Sequence, residues 1–283
     1  MKRKVNELYD EYRHGSVSRR DFMKKLALVT GGTAAAVVIL PGCNGAAART
    51  AGNAALKVLG EFISYPGVTG DMRAWITVPE GKKKYPGVIV IHENRGLTPH
   101  IRDVNNRMAQ EGFVALAPDA LSPLGGTPED QDKARDMFGQ LDRQQTVNNF
   151  VAAVKYLETH PRSTGKVGCT GFCWGGAMTN QVAVNSPDLD AAAPYYGSTP
   201  APEDVPKIKA KLMAHYASDD ERINAGIPAF EEALKKAGIE YEIFVYEGTQ
   251  HAFNNDTGTR YNKQAADLAW QRTTDFFRKT LGE

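Results

Sequence analysis

Three cysteines in 283 residues are too few for a disulfide framework, and their placement narrows their uses further. Cys43 stands near the start of the chain, while Cys169 and Cys173 have three residues between them, a spacing unlike that of a thioredoxin-type pair. No further Cys or His completes a zinc set around them, and His92, His100 and His215 show no ligand spacing, so neither a metal nor a cofactor is expected. Two cysteines on one strand and its turn also have poor geometry for a bridge. Charge of one sign is scarce as well: 34 basic residues face 33 acidic ones, and no basic stripe interleaved with aromatics appears. Nucleic acid is therefore set aside as a partner. The one apolar run near the start, Leu26 to Leu40, is interrupted by Gly31, Gly32 and Thr33 and is too short and mild to span a bilayer stably. No internal repeat and no second folded domain can be picked out.

What remains is an ordinary globular composition, 42% hydrophobic and 24% charged, long enough for one large domain behind a leader. The leader is positively charged. Residues 1–43 hold eight Lys/Arg against four Asp/Glu, so the other 240 residues carry 26 basic and 29 acidic side chains, a net −3. Ser18-Arg19-Arg20-Asp21-Phe22-Met23-Lys24 resembles a twin-arginine export signal, and the run after it is shaped like an h-region. The implied partner is the twin-arginine machinery, and the implied location is the far side of a cytoplasmic membrane. Leu40-Pro41-Gly42-Cys43 resembles a lipobox, with Pro41 an unusual occupant. Two outcomes stay open: acylation of Cys43 as a lipid anchor, or cleavage near Ala46-Ala47-Ala48. Residues 44–56, small and rich in Ala and Gly, read as a flexible tether.

From Lys57 to residue 283 strands alternate with helices. Val58–Tyr65 and Met72–Val78 read as an antiparallel pair joined at Pro66-Gly67. Gly87–His92 is a continuous apolar run, as expected for a strand covered on both faces. Further strands are expected at Phe113–Ala117, Val167–Thr170, Ala191–Tyr196, Lys211–Ala217 and Tyr241–Tyr246. Helices are expected at Pro99–Gly112, Glu129–Leu141 and Gln144–Thr159, after the 167–170 strand as far as Val184, then at Ile227–Ala237 and from about Gln264 to Leu281. The pattern predicts an α/β fold: a mostly parallel sheet with helices on both faces.

Gly171-Phe172-Cys173-Trp174-Gly175 has the form G-x-C-x-G, a nucleophile elbow with cysteine where serine usually stands. The glycines clear room around a strained strand-to-helix turn. The following helix is expected to aim free N–H groups at the sulfur and favour thiolate. In parallel sheets, reactive groups gather on loops leaving the carboxyl ends of strands. Three other loops carry suitable residues: His92-Glu93-Asn94-Arg95, Ser218-Asp219-Asp220-Glu221, and the loop holding His251. The order nucleophile, acid, histidine is that of α/β hydrolases. A thiol attacking an acyl carbon needs such a base, and the base needs an anion to fix its tautomer. Pattern alone does not choose between Asp219 and Asp220.

With these motifs the chain from about Lys57 onward resembles the dienelactone hydrolase (carboxymethylenebutenolidase) family of α/β hydrolases, which open enol-lactones with a Cys-Asp-His triad. The resemblance rests on Gly171–Gly176, Ala217-Ser218-Asp219-Asp220 and His251-Ala252-Phe253. It implies Cys173 as nucleophile, His251 as base and Asp220 as the acid. It places Glu93 beside the thiol, holding its proton until substrate arrives. The backbone amides of Asn94 and Trp174 would form the oxyanion hole. One feature departs from the pattern. The family holds a substrate carboxylate with arginines, one a few residues after the histidine, where this chain has Phe253-Asn254-Asn255-Asp256. Arg95, Arg135 and Arg260 are the candidates to replace it. The expected substrate is a lactone or small carboxylic ester, cleaved through an acyl-thioester. The rivals are a general thioesterase or peptidase on this fold, and a non-catalytic envelope binding protein.

Overall fold

The computed structural model describes residues 55–282. The expected leader with Arg19, Arg20 and Cys43, and tether residues 44–54, lie outside the described residues. The described residues form an eight-stranded sheet in the order β1-β2-β4-β3-β5-β6-β7-β8. Its strands are β1 (Val58–Gly67), β2 (Gly70–Pro79), β3 (Tyr85–Ile91), β4 (Val114–Pro118), β5 (Ser163–Phe172), β6 (Ala191–Tyr195), β7 (Lys211–Asp219) and β8 (Tyr241–Gln250). β2 is antiparallel to both of its neighbours, and all pairings from β4 to β8 are parallel. The helices are α1 (Pro99–Gln110), α2 (Gln131–Met137), α3 (Arg143–Thr159), α4 (Trp174–Asn185), α5 (Glu221–Asn224), α6 (Ile227–Ala237) and α7 (Lys263–Leu281).

Alternation along β3 explains the two layers. Ile89 and Ile91 join a core with Phe150 and Leu157 of α3, Val182 of α4 and Leu234 of α6. Val88 and Val90 face the other way, into a core with Val104 and Met108 of α1 and Phe277 of α7. A strand buried on both faces needs apolar side chains at every position, which is why its sequence is a run and not an alternation. Side-chain caps fix the helix starts: Thr98 for α1, Asp130 for α2, Asp142 for α3 and Asn262 for α7. Gly238, at φ 68°, ends α6.

Several boundaries differ from the sequence reading. The first hairpin turns at Val68-Thr69, not Pro66-Gly67, and Gly67 pairs with Gly70. Asn149 draws the turn there, its Oδ1 accepting from the Val68 and Thr69 N–H groups. Pro66 is tolerated inside β1 because that strand is at the sheet edge. The Glu129–Leu141 helix begins only after its Asp130 cap, and its last turn tightens to 3-10 geometry at Phe138–Gln140. β8 continues four residues past Tyr246, carrying His251 to the sheet's carboxyl edge.

Two histidines are structural. His215, on β7, is bonded by Tyr246 Oη and Thr273 Oγ1, each at 2.9 Å, and burial pushes it down to about 3. His92 accepts from the Ala120 N–H through Nε2 (3.1 Å), so its Nδ1–H donates to the Glu93 carbonyl (2.7 Å). Its ring stacks on Trp174, with centroids 5.6 Å apart and planes within 10°. His92 therefore ties the loop after β3 to the start of α4.

Candidate active site

The turn between β5 and α4 puts Cys173 at φ 57°, a conformation costly for a residue with a Cβ. Its N–H donates to the Tyr195 carbonyl (3.1 Å), and its carbonyl accepts from the Ala177 N–H (3.1 Å). The glycines clear room at the turn as expected, and most of what they clear is backbone. A Cβ on Gly175 would stand 2.4 Å from the Ile91 carbonyl oxygen and 2.5 Å from that of His92. One on Gly171 would stand 2.3 Å from the Gly175 carbonyl oxygen. Gly171 lets the turn fold tightly on itself, and Gly175 lets the elbow press against the end of β3.

Asp220 and His251 follow the ends of β7 and β8, and the register shift between Ala217 and Asp219 lies in this same pairing. His251 Nδ1 lies 2.5 Å from Asp220 Oδ2, with side-chain exposures of 17% and 8%. Asp219 is exposed and accepts from the Ser218 hydroxyl. Of the two aspartates that pattern left open, Asp220 is the one paired with His251. Although Asp220 precedes α5, its side chain makes no capping bond and turns to the histidine instead. An imidazole bonded to a carboxylate through Nδ1 presents Nε2 as a base.

The electrostatics reverse one expectation. Burial pushes the Cys173 thiol up, and the Glu93 carboxylate pushes it further; the Trp174 N–H, which bonds the sulfur, and the Arg222 charge pull the other way, and Asp220 adds a smaller upward push. The net shift is upward. The helix start does act on the sulfur, but burial and a neighbouring anion outweigh it, so the resting group is a thiol. Replacing Glu93 with glutamine is therefore expected to lower the thiol's titration midpoint and to speed iodoacetamide labelling of Cys173 at pH 7. A rate–pH profile measures this, and an unmoved or upward-shifted midpoint contradicts it.

Glu93 makes no ion pair among the described residues. Asn255 Nδ2 donates to its Oε2 (2.9 Å), so a neutral amide stands where the resemblance led one to look for an arginine. Arg95 instead faces Asp132 at 3.7 Å and donates to the Gln131 carbonyl. Arg135 is exposed and pairs with Asp132 and Asp136. Arg260 is exposed and has no ion-pair partner among the described residues, and its charge is felt at Tyr196. A cavity of about 650 Å³ lies beside the loop after β3, lined by Phe62, Arg73, Arg102 and Thr127 among others, but Cys173 and His251 do not line it. Cys169 is a core residue, its thiol pushed up to about 12 by burial.

Sequence reasoning missed Tyr196. It is 1% exposed, its ring centroid lies 5.1 Å from that of His251, and its buried hydroxyl has no partner among the described residues. Among the described residues, the non-glycine residues at positive φ are Cys173, Tyr196 (36°) and Ala252 (71°), all at this site. Each such conformation costs about 1–3 kcal/mol, and strain of this kind clusters at functional sites. The usable signal was Tyr195-Tyr196-Gly197 at the carboxyl end of the strand beside the elbow.

A family model described as Dienelactone hydrolase family matches residues 72–281, most of the chain. The chain belongs to the dienelactone hydrolase family. A relative in Saccharolobus solfataricus named "Putative carboxymethylenebutenolidase" is 31% identical over 255 residues, covering 77% of this chain and 97% of its own length. "Protein usf" of Aquifex pyrophilus is 35% identical over 234 residues, covering 79% and 100%. Among solved structures, a "Putative Dienelactone Hydrolase" from Klebsiella pneumoniae aligns at TM-score 0.71 and 26% identity, over 79% of this chain and 99% of that one. A second family model, described as YqhI-like, matches residues 2–32, the segment that includes Arg19 and Arg20. As a dienelactone hydrolase family member the chain is a hydrolase, and the family match takes in β2 through α7.

Proposed function

We propose that this dienelactone hydrolase-like enzyme cleaves a lactone or small carboxylic ester with Cys173 as nucleophile. The observation that carries the reading is the largely buried His251–Asp220 pair, set at the same sheet edge as a strained, half-buried cysteine. When substrate displaces Glu93, the thiol proton passes to His251 Nε2 and the sulfur bonds to the acyl carbon. Negative charge develops on the acyl oxygen, where the Asn94 and Trp174 N–H groups are the proposed donors. Collapse breaks the ester C–O bond, and the imidazolium returns its proton to the leaving oxygen. Water, deprotonated by His251, then attacks the acyl-thioester and releases the acid and the thiol. Asp220 holds the imidazole tautomer throughout. Because Arg95 and Arg135 are already paired with carboxylates, Arg260 is the proposed contact for a substrate carboxylate.

The thioester gives the sharpest test. Acid quenching during turnover of a slow ester, followed by mass spectrometry, should find the acyl mass on the peptide containing Cys173. An adduct elsewhere, or none while product accumulates, would remove the cysteine from the reaction. Screening a panel of lactones, esters and thioesters then ranks the substrate class. Export through the twin-arginine route, with either lipidation at Cys43 or cleavage after it, is proposed from the leader. The mass of the native N-terminus decides between these.

A further inference from the structure

Two buried polar atoms of this site lack partners among the described residues, and they are complementary: the Tyr196 hydroxyl can donate and Glu93 Oε1 can accept. Each is a cost to the folded state that a neighbouring opposite group could remove. Both belong to the surroundings of Cys173. After burial, the charges of Glu93 and then Cys173 act most strongly on the Tyr196 phenol, and the Glu93 charge acts in turn on the thiol.

The tyrosine is held in place. Its N–H donates to the His215 carbonyl at 2.7 Å, and its ring packs between His251 at 5.1 Å and Phe253 at 5.4 Å. The chain just after it is pressed onto α4, since a Cβ on Gly197 would stand 2.2 Å from the Ala177 nitrogen. Backbone and ring are thus both held, and any movement that joins the two atoms belongs to Glu93. That carboxylate is tethered by Asn255 through Oε2 alone, with Oε1 unspent.

We infer that the Tyr196 hydroxyl is a second anchor for Glu93, donating to Oε1 once substrate displaces the carboxylate from beside the Cys173 thiol. Held by Asn255 on one oxygen and Tyr196 on the other, Glu93 stays out of the path between thiol and His251. Tyr196 is then a positioning residue that acts through Glu93 and does not touch the acyl group. The inference rests on the proposed roles of Cys173 and Glu93.

Tyr196→Phe keeps the ring and removes only the hydroxyl. On an ester that the wild-type enzyme turns over, kcat should fall about tenfold or more while KM changes less than about twofold, and iodoacetamide labelling of the resting thiol should stay unchanged. The melting temperature should hold or rise, because a buried unpartnered hydroxyl is gone. In a Glu93→Gln background the same substitution should cost less than about a further twofold, since the two residues act as one unit. Wild-type kcat in Tyr196→Phe, or losses that simply multiply in the double variant, would overturn the inference. So would an equal loss in resting-thiol labelling, which would put the hydroxyl on the sulfur. Cys173→Ala in the same assay keeps the two ideas apart. Activity surviving in that variant defeats the nucleophile assignment. Activity lost there but intact in Tyr196→Phe defeats only the anchor.

Discussion

Cys173→Ala is expected to lower kcat on a p-nitrophenyl ester by about 10,000-fold or more while leaving the fold intact. The sulfur sits at a strained position, half-buried, and packs only at the margin of the core. Its backbone N–H and carbonyl keep their bonds to Tyr195 and Ala177 whichever side chain is present. Removing the sulfur should leave the melting temperature within about 3 °C, which corresponds to roughly 1 kcal/mol for a domain of this size. His251→Ala should lose a similar factor, and the double variant little more, because nucleophile and base act as one unit. Activity near wild type in either single variant, measured on folded protein, would refute the mechanism. Slow labelling of Cys173 in the resting enzyme would not. A thiol pushed up by burial and Glu93 labels slowly at neutral pH whether or not it is catalytic, so labelling alone does not separate an enzyme from a non-catalytic envelope protein.

Gly175→Ala is the second large effect, and it falls on stability. The added Cβ would lie 2.4 Å from the Ile91 carbonyl oxygen and 2.5 Å from that of His92, and both belong to backbone at the end of a central strand. Neither oxygen can turn aside as a flexible side chain would, so α4 must shift away from β3. Overpacking of this kind costs about 3 kcal/mol or more, expected as a drop of about 6–12 °C in the melting temperature for a domain of this size. Activity should go with it, because the shift moves Cys173 relative to His251. Gly139→Ala is the matched control: nothing lies within 4 Å of its added Cβ, and its melting temperature should stay near wild type. Equal melting temperatures for the two variants would mean that the elbow has more slack than these distances allow.

Much of the candidate site could be read from the chain because its parts announce themselves locally. A glycine two residues either side of Cys173 marks the elbow, an aspartate pair ends one strand, and a histidine follows the last. Strand and helix types were readable for the same reason: the apolar run of β3 and the helical spacing of Val147, Phe150, Val154 and Leu157 are local signals. Boundaries were less so. The first hairpin turns two residues late because Asn149, some eighty positions away, accepts from its turn amides. β8 runs on to Gln250 through a register shift against β7, which no single strand's pattern contains.

The linear sequence by itself determined the alternating strands and helices, the elbow motif, and the order of Cys173, Asp220 and His251, since each signal is local along the chain. Tertiary structure alone decided that Asn255 holds Glu93 and that Tyr196 belongs to the site, and it set how closely Asp220 meets His251 and how burial and charge balance at the sulfur. These depend on distance, burial and the sum of opposing charges from loops that are far apart along the chain. Such quantities exist only once the sheet has brought its strand ends together.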